Sequence, residues 1–241
     1  MKGFSSFTFN ASSLRIEAGN LRKLLMPGSA VELDEEKHLS PAFKASPNLV
    51  SIIGAAFGGV VNPDLIAEEF WILDKLRCDF AVCNSRQQTF CFIELEDAVK
   101  KSVFVERKPT FFNGLMGRPP YYDWAPRFEH GTSQMLDWIR ILEDSKQTGD
   151  YRAHFGSPNQ FEAQFILVIG RDEFLSADQK ERLAWRCKSV QAAGHKVKCI
   201  TYDRLLEEAE HQLKNYPAVA IASSSLPSST GPAAPSSSAK P

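Results

Sequence analysis

Residues 78–98, CDFAVCNSRQQTFCFIELEDA, constrain this chain more than any other stretch, because an apolar hairpin pattern there carries carboxylates where side chains should be buried. The β-branched, aromatic and small residues of 79–84 and 89–96 flank the polar connection 85–88, which predicts two antiparallel strands. If Asn84 pairs with Thr89, the register carries outward until Asp79 lies opposite Glu94, with Cβ atoms roughly 5 Å apart. Side chains alternate along a strand, so Glu94 and Glu96 share one face about 7 Å apart, and Ile93 and Leu95 take the other.

Three carboxylates therefore converge on one patch. Like charges opposite one another in a sheet are destabilising, and burying them uncompensated costs several kcal/mol per ion. A bound divalent cation reverses that sign. An all-oxygen donor set without His or Cys suits Mg²⁺ or Mn²⁺ rather than zinc. The plain alternative is a solvated hairpin end with loose acidic residues.

With 43% hydrophobic residues over 241 positions, the chain can bury one sizeable α/β core. The expected organisation is an N-terminal appendage of unknown role at 1–47, a main domain at 48–215, and a disordered tail at 223–241 rich in Ser and Pro. Net charge is −1, so no global basic field announces nucleic-acid binding, and any such contact must come from local patches. Five cysteines, odd in number and never Cys-x-x-Cys, read as buried thiols of a reducing cytoplasm. No window is apolar enough for a membrane span or a secretion signal.

Along the chain, a strand is expected near 6–9 and a helix near 14–25, and the apolar, Gly-containing stretch 49–61 reads as a buried connector or helix. Asn62-Pro63 resembles a helix start, which predicts a helix to about Lys75 with Glu69 in the middle of its apolar arc. A carboxylate there needs a partner, and Glu69 could be a fourth acidic group at the patch; the alternative is a residue favouring the helix dipole. Residues 99–128 interleave Lys100, Lys101, Arg107, Lys108, Arg118 and Arg127 with aromatic rings. That mixture suits a phosphate backbone and stacked bases, or equally a long loop pinned to the core by its rings.

A helix follows over 129–145, with Met135, Ile139 and Leu142 on one face and His130, Gln134 and Trp138 along its flank. Residues 164–170 read as a strand buried on both faces. Ser176 and Gln179 form a capping box for a helix over 177–193 that Gly194 stops. A strand at 196–201 and a final helix from Tyr202 to about Lys214 complete a strand-helix-strand-helix order, which implies a parallel pair.

This order of helix, carboxylate hairpin, helix and strand resembles the core of the PD-(D/E)xK restriction-endonuclease-like nucleases. More specifically, Asp79-Phe80, Phe92-Ile93-Glu94-Leu95-Glu96, the Ser133-Gln134 to Trp138 helix, Val168-Ile169-Gly170-Arg171 and Thr201-Tyr202-Asp203 resemble the C-terminal nuclease domain of Shedu antiphage-defence proteins, over about 62–213. The resemblance implies a restriction-endonuclease-like α/β fold, a mixed central sheet flanked by helices. It also implies a metal-dependent DNA endonuclease, working as a homo-oligomer, a tetramer or dimer of dimers.

Glu94-Leu95-Glu96 stands where the superfamily has Glu-x-Lys. On this reading Asp79 and Glu94 bind Mg²⁺ or Mn²⁺, Glu69 assists as a ligand, Glu96 accepts a proton and Gln134 orients phosphate or water. Lys100, Lys101, Arg107, Lys108, Arg118 and His130 meet DNA. The missing lysine function could also have moved to Lys100 or Lys101. Loss of cleavage, leaving a nucleic-acid-binding or assembly module, is the competing expectation.

Overall fold

A computed structural model describes residues 1–26, 32–107 and 121–215. The expected tail, Lys108 and Arg118 lie outside them.

The hairpin forms as its sequence pattern predicts. Strands β3 (Leu76–Asn84) and β4 (Thr89–Leu95) pair antiparallel with Asn84 opposite Thr89 and Phe80 opposite Ile93. Asn84 sets the turn: its Oδ1 accepts from the backbone N–H of Arg86 and Gln87, at 3.0 and 2.9 Å. Strands β1 (Ser5–Ser6) and β2 (Leu65–Ile72) continue the sheet beyond β3. On the other side, β7 (Glu162–Val168) and β9 (His195–Ile200) run parallel to β4. With β8 (Gln191–Ala192), the mixed sheet has the order β1-β2-β3-β4-β7-β9-β8. Strands β5 (Phe104–Arg107) and β6 (Tyr121–Trp124) make a separate ribbon.

Both faces are covered. Helices α4 (Pro126–Ser145) and α5 (Gly149–Phe155) pack on one, over an aromatic cluster of Phe90, Phe92, Phe155 and Phe165. The other carries α1 (Ala11–Leu24), α2 (Ser40–Lys44), α3 (Pro47–Ile52) and α7 (Tyr202–Asn215), joined by π-helical turns at Glu35–Leu39 and Ile53–Phe57. Residues 1–47 thus supply buried Leu14, Leu21, Leu39 and Phe43 to the second core. Helix α6 (Ala177–Ser189), started by the expected Ser176–Gln179 capping box, lies against β9.

Two expectations fail. The helix drawn from Asn62 to Lys75 is instead strand β2 and its turn into β3. Asn62 has φ 50°, outside the extended backbone of an N-cap, and the turn uses positive φ at Leu73 (53°) and Asp74 (56°). Without a Gly there, Asp74 alone left only a weak turn signal in the sequence. Likewise the helix expected to reach 193 ends at Ser189, because Ala193 (φ 48°) and Gly194 (φ 82°) make the tight turn of the β8–β9 hairpin. Gly194 is a hairpin glycine and not a helix stop.

Candidate metal centre

Phe90, Phe92, Glu94 and Glu96 fall on the same face of β4 and its continuation, so an aromatic floor leads into two carboxylates. Backbone pairing extends past Leu95: the Glu96 N–H donates to the Val168 carbonyl at 2.9 Å, and the Gly170 N–H to the Asp97 carbonyl at 2.9 Å. The Glu96 carbonyl accepts the Tyr202 hydroxyl at 2.8 Å. Gly131 on α4 lets the helix cross close above: a Cβ there would stand 2.8 Å from Leu167 and 3.4 Å from Glu96 Cγ. Glu94 and Glu96 are consequently buried, with 8% and 2% exposure.

Asp79 stands where β3 parts from β4. Its Oδ2 accepts the Leu95 N–H at 2.7 Å, taking the place of a ladder carbonyl. Glu94 is less well served: its Oε2 is the carboxylate oxygen among the described residues that is buried with no hydrogen-bond partner. Glu17 shows that this fold can satisfy a buried carboxylate, since both its oxygens accept, from Asn48 Nδ2 at 2.6 Å and the Leu49 N–H at 2.9 Å.

Two acidic residues not expected at the site join it. The π-helical turn brings Glu35 to the cluster, tied by its N–H to Asp97 Oδ1 at 2.8 Å. Arg127, on the first turn of α4, then bridges Asp97 at 3.2 Å, Glu96 at 3.3 Å and Glu35 at 3.8 Å. A cation at a helix N-terminus opposes the helix dipole, so these carboxylates hold Arg127 there against that preference.

The electrostatics follow from burial and crowding. Burial, then the charges of Asp79, Glu96 and Glu35, push the Glu94 carboxyl up to about 9. Burial lifts Glu96 to about 8 against the pull of Arg127, and burial with Asp79 lifts Glu35 to about 7. Asp79 is raised by burial and opposed by its bond from Leu95. Burial and like charge thus outweigh the single positive charge of Arg127 at this site.

The remaining expected residues divide. Gln134 is half-buried, about two helical turns from Arg127 and one from Gly131, on the α4 face that meets the carboxylates. Glu69 is on β2 at φ 44°, exposed, and paired outward with Lys44 (2.6 Å) and Arg77 (3.2 Å), so it is not brought into the patch. Lys100, Lys101 and His130 are exposed. Arg107 is engaged within the ribbon by Asp123 at 2.7 Å and the Tyr121 hydroxyl at 2.6 Å. Asp97 had a signal in sequence, as the third acid of Glu-Leu-Glu-Asp; Glu35, about sixty residues upstream, had none.

Carboxylate oxygens are the right chemistry for Mg²⁺ or Mn²⁺, and the unpartnered Glu94 oxygen suits such a hard cation. As the side chains stand, though, no three of His, Cys, Asp and Glu among the described residues gather into a set that could hold a metal ion. Asp79 is turned to Leu95 and Glu96 to Arg127.

The family described as Shedu protein SduA, C-terminal, matches residues 32–206, well over half of the chain. This protein belongs to the Shedu family. The match starts just upstream of Glu35 and ends within α7, so every carboxylate of the cluster falls inside the Shedu domain, as does Arg127. Membership connects the chain with antiphage defence. No curated protein matches it. Among the described residues of this Shedu chain, no helix is long and apolar enough to cross a membrane.

Proposed function

We propose that this Shedu protein is a divalent-metal-dependent DNA endonuclease of antiphage defence, built on a PD-(D/E)xK-like core with a Glu-x-Glu motif. One observation carries the reading: the buried Glu94 oxygen without a partner, beside Asp79 and Glu96 on a sheet face that burial should have kept apolar. Asp79 and Glu94 would hold Mg²⁺ or Mn²⁺, which when bound lowers the pKa of a water and polarises the phosphate. Glu96, held near neutral pH by burial and Arg127, accepts the proton of the attacking water. Arg127 supplies from α4 the positive charge that a Glu-x-Lys strand carries in place of Glu96, which makes a relocated Lys100 or Lys101 unnecessary. Gln134 orients phosphate or water from the same helix. Glu69 acts at most from outside, through its charge on Asp79. Lys100, Lys101 and His130, exposed on the surface, would meet the DNA backbone. The active unit is a cytoplasmic homo-oligomer, a tetramer or dimer of dimers, a state that light scattering would check.

Incubating the purified protein with plasmid in Mg²⁺ and, separately, Mn²⁺ tests the reading. Nicked or linear product that disappears with EDTA and in Glu94→Gln supports it. Arg127 also gives the competing reading its support, since it already neutralises part of the cluster. A protein that retains DNA in a mobility-shift assay yet cuts with neither metal is the binding or assembly module.

A further inference from the structure

A second charged region lies at the far edge of the sheet, with the opposite sign. Between α6, β9 and the first turn of α7 is a cleft of about 420 Å³. Its lining includes Lys180, Lys188, Lys196, Lys198 and Arg204, against one carboxylate, Asp172. Asp172 Oδ1 already accepts the Thr201 hydroxyl at 2.8 Å. Lys198 donates to the Phe57 carbonyl at 2.7 Å, which orients its amine without neutralising it. Among the described residues, Lys180, Lys188, Lys196 and Arg204 make no ion pair, whereas Arg127, Arg171 and Arg186 are each paired.

In a chain of net charge −1, five cations in one cleft are not background. Lysines beside an open strand edge deter edge-to-edge pairing, and that accounts for Lys198, which lies beyond the two β9 residues that β8 pairs. It does not account for Lys180 and Lys188 from α6 or Arg204 from α7. Three elements bring like charges together, at a cost in repulsion that an anion would reverse. The spread of cations around the cleft exceeds what one carboxylate could meet, and Leu175 and Leu183 add an apolar wall.

We propose that this cleft binds a ligand carrying two or more phosphate groups. Free nucleotide or polyphosphate and the backbone of a nucleic acid share that chemistry, and the experiment below separates them. The proposal does not depend on metal-dependent cleavage, so it stands or falls apart from the reading of the carboxylate cluster.

Cys187 provides a local reporter. It lines the cleft, is half-buried, and its Sγ accepts the Cys199 N–H at 3.3 Å. Hydrogen bonding with Cys199 holds its thiol below the ordinary range, whereas burial raises Cys78, Cys83 and Cys91. The rate of Cys187 alkylation by N-ethylmaleimide, read by peptide mass spectrometry, is measured in EDTA with inorganic triphosphate, ATP or a short DNA duplex. Saturable protection is expected, with affinity lowered roughly tenfold or more in a Lys188→Glu, Lys196→Glu double variant. Lys2→Glu with Lys75→Glu, at the opposite edge of the sheet, should leave protection unchanged. Both pairs are exposed, and equal melting temperatures would establish that they fold. Protection by triphosphate identifies a free phosphate ligand, and protection by duplex alone identifies a phosphodiester backbone. The proposal is overturned if no probe protects Cys187 below about 1 mM, or if the double variant binds as well as the parent.

Discussion

The two halves of β4, taken with its continuation to Glu96, share one strand and one face, and they meet opposite physical fates. In the first half, Phe90 and Phe92 are fully buried and stack on each other at 6.2 Å, edge-on to Phe155 at 5.3 and 6.2 Å. Every ångström of burial there favours folding. In the second half, Glu94 and Glu96 are nearly as buried, and burial opposes their charge. A fold that merely needed stability would have continued with apolar residues. The difference teaches that the first half anchors the strand so that the second can hold carboxylates where water would not leave them crowded.

Substitutions that reverse the roles of the halves should separate the two. The largest effect on stability is expected at Phe92→Ala, about 3–5 kcal/mol lost on denaturant unfolding, because a rigid cluster cannot close over the cavity. A loss below about 1 kcal/mol would mean that the aromatic half does not anchor the strand.

Glu94→Gln should do the reverse. Replacing a buried carboxyl whose ionisation burial and like charges oppose leaves stability equal or higher, while Mn²⁺ affinity, followed by calorimetry, falls by about 100-fold or more. Asp79→Asn should behave similarly in melting, since the Asn Oδ1 can still accept from Leu95. A Glu94→Gln protein that melts several degrees lower would show that the carboxylate is a structural group.

A smaller effect is expected at Glu96→Gln, roughly 10²-fold in cleavage rate for loss of a general base. At saturating DNA, Lys100→Ala and Lys101→Ala should change the rate little, since Arg127 supplies the positive charge beside Glu96. A severe loss in either lysine variant with mild Glu96→Gln would move the cationic function from Arg127 to that lysine.

How far the sequence foretold this arrangement depends on the range of the interaction. The β3–β4 hairpin, its register and the parallel β7–β9 pair were legible because strand alternation and turn chemistry are local. β2 was misread because its apolar and charged residues fit a helical wheel as well as a strand, and its turn uses Leu73 and Asp74 at positive φ instead of glycine. Glu69 was misplaced with it. Asp79, Glu94 and Glu96 were legible as a patch, since register alone brings them together. Glu35 and the bridging of Arg127 were not, because a π-helical turn and a helix start reach the patch only through tertiary packing.

The smallest effect, and the one that isolates the carboxylate half from the aromatic half, is the pH dependence of the metal-free protein. Glu94 is raised from 4.5 to about 9, so its folded-state pKa lies above its unfolded value. The sign follows from linkage: above 4.5 the unfolded chain loses this proton while the folded chain keeps it. Folding therefore becomes progressively less favourable as pH rises, until the folded group also ionises near 9. Glu96 (about 8) and Glu35 (about 7) act in the same direction. Asp79 from β3 and Asp97 beyond β4 add their charge to the same space, and Arg127 from α4 opposes the rise of Glu35 and Glu96. In EDTA the melting temperature should thus fall between about pH 5 and pH 9, with the slope reduced in Glu94→Gln and unchanged in Phe92→Ala even though that variant melts far lower throughout. Saturating Mn²⁺ should flatten the slope in the parent protein, because a cation favours the charged carboxylates. A slope equally steep in the parent and in Glu94→Gln would place the titrating groups outside β4, and the two halves of the strand would then differ in packing alone.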